Sequence, residues 1–418
     1  MERIAIMIDD VSDINIIGGG AYIEKHLAKG LTAKYPDEVK VIYKKYDWNY
    51  ITSTLDELRQ EKIRLIFDLS YWPVNYYQVK LFTNNLKLSE IDFLLGESLY
   101  YARRLKVKTA LLLQGMGLHK IKFAIPYNLL NYLKVKKNLP IDIFLNTRNK
   151  IIYTIYKGIR ESLISNFIKH SKIVARIYGL SRGQLESLGL GNSKKATVID
   201  PPVAVEKEIL NMRKDVSKKK DFCVFYARLI PLKGILEIPF ITREIIDITG
   251  YKELRVLIIG KFPDTHLKDL FFSLVERLNL ENNILYKGYI PRENFEEFFN
   301  IISDARCVIY PSHEDSFSVA VLEAIAAGTP VIAYDIPGLK SVYQGLDIVK
   351  FVREFDIKSM AIEATKILRL REDEYNNLIY NEKTKKFLDK YTNWDLVVDK
   401  YYKDLFAFAK NYNSISKT

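Results

Sequence analysis

The chain has 418 residues, 48% of them hydrophobic, with two cysteines and a formal net charge of +12. That is enough for two domains with separate cores, and it excludes a disulfide-built scaffold; no apolar run reaches the roughly 18 residues that span a bilayer. The basic excess is local, since residues 101–200 hold 19 basic and 4 acidic side chains whereas 201–418 hold 32 of each.

In chain order, apolar runs alternate with helical patterns, as parallel α/β sheets require. RIAIMI (3–8) predicts a first strand, with no signal peptide ahead of it. Gly18-Gly19-Gly20 then precedes a helical pattern at 21–31. This is not the dinucleotide fingerprint, because the third small position would be Ile23 and the run starts ten residues past the strand. Two readings stand. Gly19 and Gly20 present backbone N–H groups to a diphosphate or acceptor, or they form a flexible turn. VKVIY (39–43), RLIFDL (64–69), KTALLL (108–113), IDIFL (141–145), KIVARIY (172–178) and ATVI (196–199) predict further strands. Pro201-Pro202 fits neither a helix nor a central strand, so the first domain is expected to be 1–200.

The same grammar restarts with DFCVFYA (221–227), RVLIIG (255–260), NILYKG (283–288), RCVIYP (306–311), PVIAYD (330–335) and DIVKFV (347–352). Two α/β domains with a proline-rich joint imply a cleft between them. The second domain is expected over 201–385, and a helical tail over 386–418. Cys223 and Cys307 sit in strand-like runs and read as core residues of a cytosolic protein. The five histidines show no metal-ligand spacing, so no metal is expected.

Within PSHEDSFSVAVLEAIAAGTPVIAYD, residues 319–327 predict a helix that ends at Gly328 and Pro330. It is apolar all round except at Glu323. An ionised carboxylate there costs several kcal/mol unless it is ion-paired or faces a polar cavity. The helix starts just past a strand, where its first N–H groups at Ser318 and Val319 favour phosphate. With Asp315 in the loop before it, the segment fits a nucleotide sugar: Glu323 accepts from ribose hydroxyls and Asp315 from those of the sugar. Arg228 and Lys233, just past 221–227, either neutralise a diphosphate or are solvated loop cations.

ARLIPLKG, LIIGK, NILYKGYIP and YPSHEDSFSVAVLEAIAAGTPVIAYDIPG resemble, in order and spacing, retaining GT-B glycosyltransferases of family 4. That family's two acids separated by seven residues correspond to Asp315 and Glu323. The resemblance covers about 200–340, and more loosely GGGAYIEKHLAKGL and FLDKYTNWDLVVDKYYKDL. It implies GT-B architecture: two Rossmann-like parallel-sheet domains facing a cleft, with the tail crossing back to the first. It also implies that Arg228 and Lys233 hold the donor diphosphate, Glu323 the ribose and Asp315 the donor sugar. Ser316-Phe317-Ser318-Val319 takes the place of a Gly-Phe-Gly segment whose amides meet the phosphates. Gly288, Tyr289 and Ile290 match the stretch lining the base. The sequence departs from the pattern in places. Asp315 is one methylene short of the usual glutamate, both glycines beside Phe317 are serines, and for the catalytic histidine that the family often has after the KTALLL strand two candidates stand, Gln114 by position and His119 by chemistry.

The sequence has no Asp-x-Asp, so Arg228, Lys233 and the helix dipole are expected to replace a metal, and no cofactor is expected. The partners expected are a nucleoside-diphosphate-sugar donor and a glycan, lipid-linked or protein-linked acceptor. The alternatives are a soluble small-molecule acceptor and a catalytically weak sugar-nucleotide-binding scaffold. The basic, Ile- and Tyr-bearing segment 101–200 either lies on an anionic membrane surface, on the cytoplasmic side, or presents solvated basic faces. No motif supports nucleic acid.

Overall fold

The computed structural model describes residues 3–9, 19–45, 47–71, 96–114, 165–291 and 293–415, the side chains of 410–415 excepted. They divide into two compact units. Unit 1 takes the described residues up to 114, those from 165 to 204, and 393–415; unit 2 takes 205–392.

Among the described residues, the strands of unit 1 are β1 (Arg3–Asp9), β2 (Val39–Lys44), β3 (Ile63–Tyr71), β4 (Lys108–Leu113), β5 (Val174–Gly179) and β6 (Ala196–Val198). They pair in parallel in the order β2-β1-β3-β4-β5-β6. The strand expected at 141–145 lies outside the described residues. Helices cover the sheet, and so its strands read as nearly unbroken apolar runs. Ala5, Met7, Ile42 and Ile66 pack with Ile51, Leu55 and Leu58 of helix Trp48–Gln60. That helix starts where the Asp47 carboxylate accepts from Tyr50 N at 2.8 Å. Leu111, Leu113, Val174 and Ile177 pack with Leu185, Leu188 and Leu190.

Unit 2 holds β7 (Lys220–Tyr226), β8 (Arg255–Ile259), β9 (Ile284–Gly288), β10 (Ala305–Tyr310), β11 (Val331–Tyr334) and β12 (Val349–Val352). Their order is β12-β11-β10-β7-β8-β9, all parallel. The order reverses direction between β7 and β10, and open α/β sheets bind ligands beyond the carboxyl ends of strands at such a point. Cys223 and Cys307 face each other across this pair as buried free thiols, Sγ to Sγ 3.3 Å.

The helical tail is two helices, Glu382–Tyr391 and Trp394–Ile415, rather than one continuous pattern. Asn393 causes the break: its side chain accepts from Leu396 N at 2.9 Å and starts the second helix. The chain returns to unit 1 at this residue.

Candidate functional site

Two loops meet at the switch point of unit 2. The first leaves β7 through the exposed Arg228 and closes a 3-10 turn at Pro231–Lys233. The second leaves β10 as Pro311–Ser318. Gly234 lets them touch: it has φ +79°, and a Cβ there would lie 2.2 Å from the Pro311 carbonyl oxygen. No side chain fits both that angle and that distance.

This approach places Lys233 Nζ 2.8 Å from Asp315 Oδ1 and 2.6 Å from the Glu314 carbonyl oxygen. Tyr310 donates to the other Asp315 oxygen at 3.0 Å, and its own oxygen accepts from Ser318 Oγ at 3.0 Å. Burial and the Asp315 charge push the Tyr310 phenol well above its ordinary pKa, so it remains a donor. Ser318 caps helix Val319–Ala326 by accepting from Val321 N at 3.3 Å. Its φ is +66°, and Tyr343 donates to its carbonyl at 2.9 Å. A hydrogen-bonded chain thus runs from Lys233 through Asp315, Tyr310 and Ser318 to the start of the helix.

Glu323, inside that helix, is 1% exposed among Val321, Leu322, Ala324 and Ile325. Ser316 is buried, and its hydroxyl has no hydrogen-bond partner among the described residues. Val319 is buried at the helix start. Phe317 belongs to the core, stacked on Tyr391 with ring centroids 6.0 Å apart. Gly288 ends β9 with φ +77°, and Tyr289 and Ile290 follow it. The fold therefore brings Lys233, Asp315, Ser318 and the helix start together by direct bonds, with Arg228 on the β7 loop. The stretch 288–290 stands at the carboxyl end of the sheet's edge strand.

In unit 1, Gly19 and Gly20 open helix Gly19–Lys34. Gln114, one residue past β4, is buried and donates to the Leu69 carbonyl at 2.5 Å. A Cβ on Gly20 would lie 2.3 Å from Gln114 Oε1, so these two expected site residues adjoin. His119 lies outside the described residues.

Two polar clusters escaped the sequence reading. In unit 2, His313 contacts Glu237 and Glu354, which are 76 and 41 residues away along the chain. In unit 1, Lys44 Nζ lies 2.6 Å from Asp68 Oδ1 and 3.8 Å from Asp9 Oδ1, at the carboxyl ends of β2, β3 and β1. Ser98 donates to Asp68 at 2.6 Å, and Glu24 accepts from Asp9 N at 3.0 Å. Burial, reinforced by Asp9, lifts Glu24 to about 7; burial lifts Glu97 to about 8 against the pull of Lys44. The available signal was polar residues at strand ends, where ligands and helix starts also gather.

Residues 207–385 match the family model described as Glycosyl transferases group 1. A D-inositol 3-phosphate glycosyltransferase of Nocardia farcinica is 23% identical over 183 residues, 43% of this chain and 39% of that protein. A poly(glycerol-phosphate) alpha-glucosyltransferase of Bacillus subtilis is 23% identical over 221 residues, 52% of this chain and 30% of that protein. The chain thus spans well under half the length of either relative. The structure of Anabaena Alr3699/HepE in complex with UDP and glucose is similar at a TM-score of 0.61 and 11% identity, covering 96% of this chain and 99% of that one. With one doubly wound parallel sheet in each unit, that likeness identifies an α/β two-domain fold of the GT-B type.

Proposed function

We propose, on the premise that residues 207–385 are a domain of the glycosyl transferases group 1 family, that this chain is a retaining, metal-independent glycosyltransferase of family 4. It moves a sugar from a nucleoside-diphosphate-sugar donor to a glycan, lipid-linked or protein-linked acceptor. The observation that carries this reading is the 2.8 Å Lys233–Asp315 contact at the switch point of unit 2, bonded through Tyr310 to the capped start of the helix that holds Glu323.

Lys233 and Arg228 take the diphosphate, and the helix start adds its dipole. The buried Ser316 hydroxyl supports a ligand at the same place, because a partnerless buried hydroxyl is costly and a phosphate oxygen would accept from it. Glu323 accepts from ribose hydroxyls and Asp315 from those of the sugar. As the glycosidic bond breaks, negative charge grows on the leaving diphosphate. Fixed cations stabilise that state more than the ground state. Retention follows a front-face path in which the departing phosphate takes the acceptor proton. Gly19, Gly20 and Gln114 belong to the acceptor-side unit.

Both relatives carry phosphate in the acceptors they are named for. The 19 basic against 4 acidic side chains of residues 101–200 support a phosphate-bearing acceptor here too, or attachment to the cytoplasmic face of an anionic membrane. Lys134, Lys136 and Lys137, a basic cluster within that segment, lie outside the described residues. Among the described residues no helix is long and apolar enough to cross a membrane. The D-inositol 3-phosphate relatives favour a soluble acceptor as the second reading.

A panel of nucleotide sugars scored for thermal shift and then for turnover in excess EDTA tests the proposal. One donor should stabilise and react, and Lys233→Ala and Glu323→Ala should each lower its affinity by tenfold or more in folded protein. Binding without turnover would leave a sugar-nucleotide scaffold. Activity lost in EDTA and restored by Mg²⁺ would overturn metal independence.

A further inference from the structure

The imidazole of His313 is held between two carboxylates. Nε2 lies 2.5 Å from Glu237 Oε1, and Nδ1 lies 2.9 Å from Glu354 Oε1. With both carboxylates ionised, each can only accept, so both bonds need a proton on each ring nitrogen, which makes the ring an imidazolium. Its partners come from different loops. Glu237 is four residues past Lys233 on the loop leaving β7. His313 is two residues before Asp315 on the loop leaving β10. Glu354 is two residues past β12. Tyr334, the last residue of β11, donates to the second oxygen of Glu237. Phe355 stacks on the ring with centroids 4.3 Å apart. His313 N also donates to the Leu232 carbonyl at 3.0 Å, beside Lys233. Among the described residues the titratable groups around the ring include Glu237, Glu354 and Tyr334, with Asp356 near Tyr334.

We propose that His313 is a positioning residue of the donor site: as an imidazolium it locks the Lys233 loop to the Asp315 loop, and its deprotonation releases them and weakens donor binding. This rests on the reading of Lys233 and Asp315 as donor-binding. Uncharged, the ring can donate to only one of the two carboxylates. The other then faces the ring's lone pair in place of an N–H, a repulsive contact, and one loop must shift. Lys233 and Asp315 are held at 2.8 Å by loops only a few residues long, so a shift of either moves the site.

The direction with pH follows. Burial pulls the ring's pKa down, but Glu237 and Glu354 outweigh it and hold it at about 8, above the ordinary 6.5. A raised folded-state value makes the lock fully present below about 6.5. It is lost as pH rises through about 8.

The test is calorimetric titration of the full chain with UDP and with GDP from pH 6 to 9.5, for wild type, Lys233→Ala, His313→Gln and Glu354→Gln. The wild-type Kd should rise about tenfold or more across an inflection near pH 8. His313→Gln, which keeps one donor but carries no charge, should bind about tenfold more weakly at pH 7 and show no inflection. Should that variant fail to fold, Glu354→Gln decides. Removing one of the two carboxylates should move the inflection to lower pH. A wild-type Kd flat with pH, or an inflection unmoved in Glu354→Gln, overturns the inference while loss of binding in Lys233→Ala upholds the donor site. Unaltered binding in Lys233→Ala overturns the donor reading and with it the role given to His313.

Discussion

Tyr310 shows how much one oxygen carries. In the sequence it is the last aromatic of an apolar run and reads as core, yet its hydroxyl joins Asp315 to Ser318. Tyr310→Phe keeps the ring and removes both bonds. One of them goes to a charged acceptor, so a loss of about 1–3 kcal/mol in folding stability is expected. The freed Asp315 oxygen should also let Lys233 wander, raising the donor KM several-fold with less effect on kcat. Equal melting temperatures and equal KM values for the two proteins would remove Tyr310 from the site. Asp315, Lys233 and Glu323 stood out in the sequence as candidates, because a lone carboxylate in an apolar helix is anomalous and charges just past a strand lie where open α/β sheets bind ligands. Tyr310 and His313 were not, because a tyrosine suits a strand and a histidine suits a loop. Only the fold brings their partners to them.

The tail illustrates the same limit for an element. The spacing of Val397, Val398, Tyr401 and Leu405 announced an amphipathic helix, and all four are buried. The break before it was also written, in the Asn393 cap, but its place was hidden by a helical pattern that runs on through both halves. Within unit 1 the helix makes specific bonds. Arg176 pairs with Asp404 through both guanidinium contacts, at 3.0 and 2.9 Å, and Tyr178 donates to the same carboxylate at 2.6 Å. Asp399 takes Lys34 at 2.9 Å and Tyr35 at 3.0 Å. Gly30 leaves room for Val398, since a Cβ there would lie 2.4 Å from Val398 Cγ2. Valine has few rotamers with which to withdraw, and Gly30→Ala should cost about 1–3 kcal/mol. Hydrogen exchange should quicken in 394–409 and in helix Gly19–Lys34 and stay unchanged over 220–352. Uniform quickening would mean that the two units do not open separately.

For the whole molecule, both units carry groups whose titration weakens them as pH rises. Glu97 is held at about 8 against an ordinary 4.5, so between those values the native state binds more protons than the unfolded chain. Stability falls with pH across that range. His313 adds a loss in the same direction in unit 2 as pH passes about 8. Glu97→Gln retains an oxygen to accept from Tyr101, which lies at 3.1 Å, and cannot ionise. It should change stability by less than about 1 kcal/mol at pH 5 and stabilise unit 1 by on the order of 3–5 kcal/mol at pH 8.5. A gain that is the same at both pH values would point to packing instead. The division of the chain bears on how the protein is made. Synthesis runs from the N-terminus, and domains fold as units as they emerge. The described residues of unit 2 all lie between 205 and 392, ahead of the last helix. Unit 1, although it begins first, waits for 393–415. On the ribosome unit 2 is therefore the first to be complete, while the nascent sheet of unit 1 keeps an uncovered face until the last helix leaves the exit tunnel. A premature stop anywhere in that helix would spare the unit just upstream of it and leave unfinished the unit that was begun first.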